Sequence, residues 1–107
     1  MMVQVLRRNG YQVLESESAE SALAAFASFD GTIDLLVTDV VMGEVSGPEL
    51  AERLQRAVAD LRVLIVSGTA DETVLENLRP RSCAFLAKPF KPSELVDHVH
   101  ELLSRRT

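Results

Sequence analysis

The chain has 107 residues, of which 47% are hydrophobic and 25% charged, and 11 basic against 16 acidic residues give a formal charge of −5. This composition predicts one soluble globular domain over residues 1–107. The acidic balance argues against direct nucleic-acid binding, because neutralisation of phosphates dominates that affinity. No apolar run approaches the ~20 residues that span a bilayer, so we expect no membrane segment.

The cysteine and histidine content limits the possible chemistry further. Cys83 is the only cysteine, which excludes an intramolecular disulfide and a cysteine-based zinc site, and we expect a reducing, cytoplasmic location. Because no histidine lies near it in sequence, we interpret Cys83 as buried or half-buried filler rather than a nucleophile. His98 and His100 stand two apart on a predicted helix, so they point in different directions and cannot share a metal. Both are expected at the surface.

The first third of the chain predicts a helix, a strand and a second helix. Met1–Asn9 is helical in pattern and is ended by Gly10, but it has no N-cap, as if the chain entered in mid-helix. Tyr11–Leu14 predicts a short strand. A helix follows over Ala19–Phe29, with an apolar stripe expected to be buried that contains Ala22, Leu23, Phe26 and Phe29.

The middle of the chain predicts two strands around a helix. Asp34–Thr38 is nearly continuous in its apolar character, which is typical of a strand covered on both faces. Ser46–Glu49 is a capping-box pattern that opens a helix running to Val58. We expect its buried face to contain Leu50, Leu54, Ala57 and Val58. Arg62–Val66 predicts a second buried strand, which Ser67 and Gly68 terminate.

The last third continues the alternation. Thr69–Glu72 is another capping box and predicts a short helix to about Leu78. Ala84–Ala87 predicts a strand that ends at Lys88 and Pro89. Pro92 and Ser93 start the final helix, whose expected buried residues are Leu95, Val96, Val99, Leu102 and Leu103, and whose closing Arg105 and Arg106 suit the negative end of the helix dipole.

Strict alternation of helices and strands predicts an α/β fold, a doubly wound parallel sheet with helices on both faces. In such sheets, ligand sites form beyond the carboxyl ends of the strands. Asp39, Ser67 and Lys88 each stand at such an end. Any one of them alone is readily explained as a cap, a turn or a strand end. Their occurrence at three strand ends predicts a polar site.

Four segments of the sequence carry a resemblance to a known family: Leu35–Met42, Ser46–Leu50, Val66–Gly68 and Ala87–Phe90. In this order and spacing they resemble the response-regulator receiver domain of two-component signalling. The resemblance covers essentially the whole chain and implies a flavodoxin-like fold.

The resemblance implies a role for each polar residue at the strand ends. Asp39 would be the phosphoacceptor, receiving a phosphoryl group from a phosphohistidine on a histidine kinase or phosphotransfer protein. Lys88 would contribute its ammonium group and Ser67 its hydroxyl to the phosphoryl oxygens, where negative charge develops. The carboxylate of Asp39 and the backbone carbonyl of Val41 would coordinate Mg²⁺. Phe85 matches the aromatic switch position, whose ring turns inward on phosphorylation and alters the surface for an output partner.

The chain departs from the family at its start. The family begins with a strand that ends in a pair of acidic residues, which hold Mg²⁺, and both the strand and the pair are missing here, a deficit of about 15 residues. We therefore expect Mg²⁺ affinity to be weak or lost, since this ion needs several oxygen ligands. Glu44 is a weak substitute candidate. Asp34 is excluded as a substitute ligand, because five strand residues place it about 16 Å from Asp39.

The missing strand belongs between Tyr11–Leu14 and Asp34–Thr38. A gap there leaves backbone groups without hydrogen-bond partners, and each unpaired group costs about 1–3 kcal/mol of stability. The strands could close up into a four-stranded sheet, or a partner or second copy could contribute a strand. We favour the third alternative, a chain truncated or started downstream of its natural beginning. Exposed strand edges would favour a homodimer or aggregation.

Three functional hypotheses follow from these residues. The first is a phosphoacceptor receiver, either a stand-alone regulator or a piece of a larger hybrid kinase. The second is a receiver-derived interaction module that works without phosphate, which the missing acidic pair favours. The third is an enzyme on a similar scaffold, such as an aspartate-nucleophile phosphatase or a nucleotide binder. The sequence disfavours it: those phosphatases resemble one another in having a second aspartate where this chain has Val41, and no glycine-rich phosphate loop occurs. We therefore expect no enzyme beyond self-phosphorylation and autodephosphorylation at Asp39.

Overall fold

A parallel sheet of three strands forms the centre of the fold. The computed structural model describes residues 2–16, 18–39, 46–58, 61–68 and 83–104. In these residues the strand order is β1-β2-β3, with strands β1 (Leu35–Asp39), β2 (Arg62–Ser67) and β3 (Cys83–Ala87). The predictions of these three strands are confirmed to within one residue at each end.

Four helices cover the two faces of this sheet: α1 (Met2–Arg8), α2 (Ala19–Ser28), α3 (Gly47–Ala57) and α4 (Pro92–Ser104). Helices α1 and α4 pack together on one face, and α3, with α2 against it, lies on the other. This is the predicted α/β arrangement. The helix expected to open at Thr69–Glu72, and the pair Arg105 and Arg106, lie outside the described residues.

The strand register decides which side chains meet which helices. In a parallel pair, residues in register point to the same face of the sheet. Leu64 pairs with Val37 and Ala84, and this row packs with the buried Val99 of α4. On the opposite face the row containing Val63 packs against Ala51 of α3. Strand β2 is therefore covered on both faces, and its four central apolar residues are inaccessible to solvent.

Local capping determines where α1 ends and where α3 begins. Gly10 has a φ of +89°, and the amide of Tyr11 donates to the carbonyl of Leu6 at 3.1 Å. This is a Schellman motif, in which glycine avoids the clash that a side chain suffers at positive φ. At the start of α3, the Ser46 hydroxyl accepts a hydrogen bond from the amide of Glu49 at 3.2 Å. Both caps agree with the sequence prediction.

Three local predictions are wrong. Tyr11–Leu14 is not a strand, because within the described ranges β1 has no neighbouring strand on that side through which this segment could join the sheet. The stripe on α2 is only half-buried for the same reason, since it faces the open side of the sheet. On α3, Ala57 is exposed although its burial was predicted, and Ala51 and Gln55 are buried in addition to Leu50 and Leu54. Val58 is half-buried and packs against this cluster, in partial agreement with the prediction.

A groove of about 630 Å³ follows the open edge of β1. Its walls come from both faces of the sheet and are largely apolar; they include Leu6, Phe26, Leu36, Leu54 and Val99. It lies where the missing strand was expected, so the described strands have not closed up into a four-stranded sheet. The half-buried state of Leu35, Leu36 and Val37 follows from this open edge, whereas the sequence predicted a strand covered on both faces.

Arg62 anchors the last turn of α4 to the start of β2. Its Nε donates to the carbonyl oxygen of Leu102 at 2.7 Å, across 40 residues of sequence. A cation at a helix C-terminus satisfies a carbonyl that has no partner within the helix and offsets the negative end of its dipole. The sequence assigned this role to Arg105 and Arg106 and missed the contribution of Arg62.

We expect Arg62→Met to lower the free energy of unfolding by about 1.5–3 kcal/mol, the usual value of a hydrogen bond to a charged group. The matched control is Arg53→Met, whose ion pair with Glu49 on α3 spans 3.8 Å in solvent and contributes about 0–1 kcal/mol. Urea unfolding of both variants measures the difference. Equal effects would show that the contact between Arg62 and Leu102 does not anchor α4.

Candidate functional site at the carboxyl edge of the sheet

The three strands end in successive steps at one edge of the sheet. Asp39, the last residue of β1, is in register with Val66, and Ser67, one residue further along β2, is in register with Ala87. Lys88 follows directly. Because neighbouring strands lie about 4.8 Å apart, this stagger gathers the three polar residues within a small area. The structure therefore places the predicted site residues at the predicted edge.

Asp39 and Lys88 form a direct ion pair. Lys88 Nζ lies 2.6 Å from Asp39 Oδ2, across 49 residues of sequence. The lysine and aspartate side chains remain 45% and 37% exposed, so the pair is open to ligands from solution. A short charge-assisted hydrogen bond of this kind fixes the direction of the carboxylate group by holding one of its two oxygens.

Ser67 lies on the neighbouring strand and is connected to Lys88 through the backbone. The amide of Lys88 donates to the carbonyl oxygen of Ser67 at 2.8 Å, which continues the pairing of β2 and β3 by one residue. The Ser67 side chain is only 4% exposed. The peptide bond between Lys88 and Pro89 is cis.

Phe85 occupies a half-buried position on the same face of the sheet as Ser67. It is in register with Ile65 and packs against the cluster that includes Ala51 of α3. Since Ser67 lies two residues beyond Ile65 on β2, the hydroxyl and the aromatic ring share a face. This placement agrees with the predicted switch position, although the switching itself stays a prediction.

The described residues supply few oxygen ligands for Mg²⁺. Within the described ranges, no group of three His, Cys, Asp or Glu side chains could hold a metal ion. The carboxylate of Asp39 is paired with Lys88, and Asp34 precedes β1 at the opposite end of the strand. The predicted ligands Val41 and Glu44 lie outside the described residues. The described part alone therefore does not fit the octahedral ligand set that Mg²⁺ requires.

The contacts of the remaining candidate residues, Cys83, His98 and His100, are explained by packing and helix structure. Cys83 is buried, as expected, and its sulfur lies 3.8 Å from Nε2 of Gln55, which also donates to the carbonyl of Leu61. His98 is half-buried and its Nδ1 lies 2.8 Å from the carbonyl of Glu94, whereas His100 is exposed. None of the helices in the described ranges has the length and apolar character needed to cross a bilayer.

Comparison with known proteins decides the family. The family described as "Response regulator receiver domain" matches residues 1–100. The chain belongs to this family. The receiver domain is also 31% identical over 103 residues to the response regulator receiver protein CpdR of Brucella abortus, which is 95% of this chain and 84% of that protein.

A second relative of the receiver domain is a much longer protein. The sensor kinase CckA of Brucella abortus is 35% identical over 105 residues, which are 97% of this chain and 11% of the kinase. The receiver domain therefore spans about a ninth of the length of this relative.

Solved structures share the flavodoxin-like α/β fold of the receiver domain. A CheY-like receiver domain protein from Methanospirillum hungatei superposes with a TM-score of 0.82 at 23% identity, over 95% of this chain and 81% of that one. The receiver domain of NtrX from Brucella abortus gives a TM-score of 0.82 at 23% identity, over 95% and 86%. In both cases the solved chain contains residues that this receiver domain does not match.

One feature of the site does not follow from the capping pattern predicted at the start of α3. The first residue of α3, Gly47, is buried directly against the carbonyl group of Asp39. The sequence was interpreted as a capping box, in which this glycine had no role of its own. The signal was nevertheless present, because glycine is a poor helix former and its place inside the first turn needs a reason.

We expect Lys88→Gln to change the free energy of unfolding by less than about 1 kcal/mol, because the ion pair with Asp39 is well exposed to solvent. Lys91→Gln, at an exposed position before α4, is the matched control. Urea unfolding at low and high salt measures both variants. A much larger loss in Lys88→Gln would contradict the assignment of this pair to chemistry rather than to stability.

Proposed function

We propose that this receiver domain accepts a phosphoryl group on Asp39 from the phosphohistidine of a histidine kinase or phosphotransfer protein, and thereby changes its affinity for an output partner. The observation that carries the proposal is the 2.6 Å contact between Lys88 Nζ and Asp39 Oδ2 at the carboxyl edge of the sheet. It presents a half-exposed nucleophilic carboxylate beside a fixed cation. We propose that the protein acts in the cytoplasm.

The chemistry needs a nucleophile, a cation and a hydroxyl donor. A carboxylate oxygen of Asp39 forms the new bond to phosphorus, and the bond from phosphorus to the histidine nitrogen breaks, with its electron pair returning to the imidazole. Negative charge on the phosphoryl oxygens is greatest during transfer, where Lys88 and Ser67 stabilise it. Water attack on the acyl phosphate later restores the carboxylate and releases phosphate. Apart from this self-reaction we propose no enzymatic turnover.

The switch would work through the face of the sheet that Ser67 and Phe85 share. Movement of the Ser67 hydroxyl toward the phosphoryl group opens space on that face, and the half-buried ring of Phe85 is placed to fill it. The charge of the acyl phosphate is thereby converted into a change of packing at β3. An output partner that contacts this surface would bind one state more tightly than the other.

The second candidate is a module that binds its partner without phosphorylation. The described residues hold no cluster of carboxylates beside Asp39, and we propose that Mg²⁺ binds weakly if at all. Phosphoryl transfer in this family depends on neutralising the charge that develops, so a poor metal site would slow it. This observation keeps the alternative open, and the experiments below separate the two functions.

We expect Asp39→Asn to abolish labelling of the chain by acetyl phosphate, because an amide cannot form the acyl phosphate. Asp34→Asn, at the other end of β1, should label at the wild-type rate. Lys88→Gln should label about 10²-fold more slowly, since it lacks the cation. Intact-protein mass spectrometry counts the phosphoryl group. Equal labelling of Asp39→Asn and the wild type would refute Asp39 as the acceptor.

Beryllofluoride with Mg²⁺ tests the two functions without a phosphoryl donor, because this complex mimics the aspartyl phosphate. In an amide correlation NMR spectrum we expect shifts at Asp39, Ser67 and Lys88, and at Phe85 if the switch operates. A spectrum that is well dispersed but unresponsive, even at high Mg²⁺, would favour the phosphate-independent module. Omitting Mg²⁺ in a parallel titration shows how much of the response depends on the metal.

A further inference from the structure

The closest approach in the site is between the start of α3 and the end of β1. Gly47, the first residue of α3, is buried against the Asp39 peptide. A Cβ atom at this position would overlap the carbonyl oxygen of Asp39 and would lie 2.8 Å from both its carbonyl carbon and the Oγ1 atom of Thr38. Contacts this short do not occur in proteins, so any side chain here displaces a neighbour.

Thr38 holds the same carbonyl group from a second direction. Its side chain is buried, and its Oγ1 donates to the carbonyl oxygen of Asp39 at 3.1 Å. The register places Thr38 on the α3 face of the sheet, beside Ile65. The peptide that follows Asp39 is therefore enclosed by a hydroxyl donor and by the bare backbone of a helix.

We infer that Gly47 and Thr38 are positioning residues for phosphoryl transfer: together they fix the Asp39 peptide so that its carboxylate points at Lys88. The inference rests on the proposed function and adds to it two residues that touch neither the phosphoryl group nor Lys88. The carbonyl carbon and the side chain of Asp39 are both bonded to its Cα, so a displacement of the carbonyl group that shifts this Cα also shifts the carboxylate. A displacement of about 1 Å in a reacting group can slow a reaction 10²-fold.

Packing of α3 decides which partner moves when Gly47 gains a side chain. Leu50 and Ala51 follow in the next turn, are 1% and 0% exposed, and belong to the clusters on this face of the sheet. The helix cannot withdraw without uncovering them. Because α3 is held in place by this burial, we expect the Asp39 carbonyl group to shift instead.

The test compares the labelling rate of Gly47→Ala with that of Gly31→Ala, each corrected for the fraction folded. Gly31 is the matched control because it is exposed, and the three atoms nearest to a Cβ there, at 2.9–3.6 Å, belong to the ring of Phe29, a side chain that can turn away where a backbone carbonyl cannot. With acetyl phosphate as donor, we expect Gly47→Ala to label about 10²-fold more slowly and Gly31→Ala to label at the wild-type rate. A folded Gly47→Ala variant that labels at the wild-type rate overturns the inference.

The Thr38 hydroxyl is tested by a pair of substitutions of similar size. Thr38→Val removes the hydroxyl but keeps the branched shape, and Thr38→Ser keeps the hydroxyl. We expect Thr38→Val to label about tenfold more slowly and Thr38→Ser to recover the wild-type rate. A role in packing alone predicts the reverse order, with Thr38→Ser the more impaired, and that result would remove Thr38 from the inference.

A second readout separates this inference from the proposed function. The NMR signals of the Lys88 ammonium group report its ion pair with Asp39 and need no phosphoryl donor. We expect Gly47→Ala to shift them and Gly31→Ala to leave them unchanged. If the wild type is not labelled but these signals shift as expected, the proposed function fails and the positioning role stands. Unchanged Lys88 signals in a folded Gly47→Ala variant refute the positioning role whether or not the wild type is labelled.

Discussion

The register of the three parallel strands is the constraint on which the site depends. The pairing of Asp39 with Val66 and of Ser67 with Ala87 determines that β1, β2 and β3 end in successive steps. A shift of one residue in either pairing would turn the side chains of a whole strand to the other face and separate Asp39 from Lys88. The fully buried apolar residues of β2 resist such a shift, because each face of that strand has its own cluster to fill. The polar edge is thus positioned by the apolar interior.

The sequence predicted the strands and helices of this interior well, because local apolar runs and helix caps specify them. Residues 63–66 form a continuous apolar run that is typical of a covered strand, and Ser46 with Glu49 marks the start of α3 through a single hydrogen bond. The polar residues at the strand ends also followed from the pattern, since a parallel sheet brings them to one edge. The family resemblance supplied their proposed roles, which strand ends alone do not.

The errors concern contacts between segments that are distant along the chain. Tyr11–Leu14 alternates like a strand, but a strand needs a neighbour, and none pairs with β1 on that side in the described residues. The contact of Arg62 with the end of α4 spans 40 residues, and no local pattern predicts it. The burial of Gly47 against Asp39 depends on the angle at which α3 meets β1, which sequence periodicity does not contain. Each of these features is tertiary rather than local.

The separation of Asp39 from Lys88 by 49 residues has a consequence for folding. Closing so long a loop carries an entropic penalty that local helix formation does not, and each parallel pair forms only when its own crossover is in place. We therefore expect the carboxylate and its counter-cation to meet late in folding, because their contact needs both crossovers. A partly folded chain can contain every helix and still lack the pair. If Asp39 is the phosphoacceptor that we propose, its reactivity therefore reports completed folding of the domain.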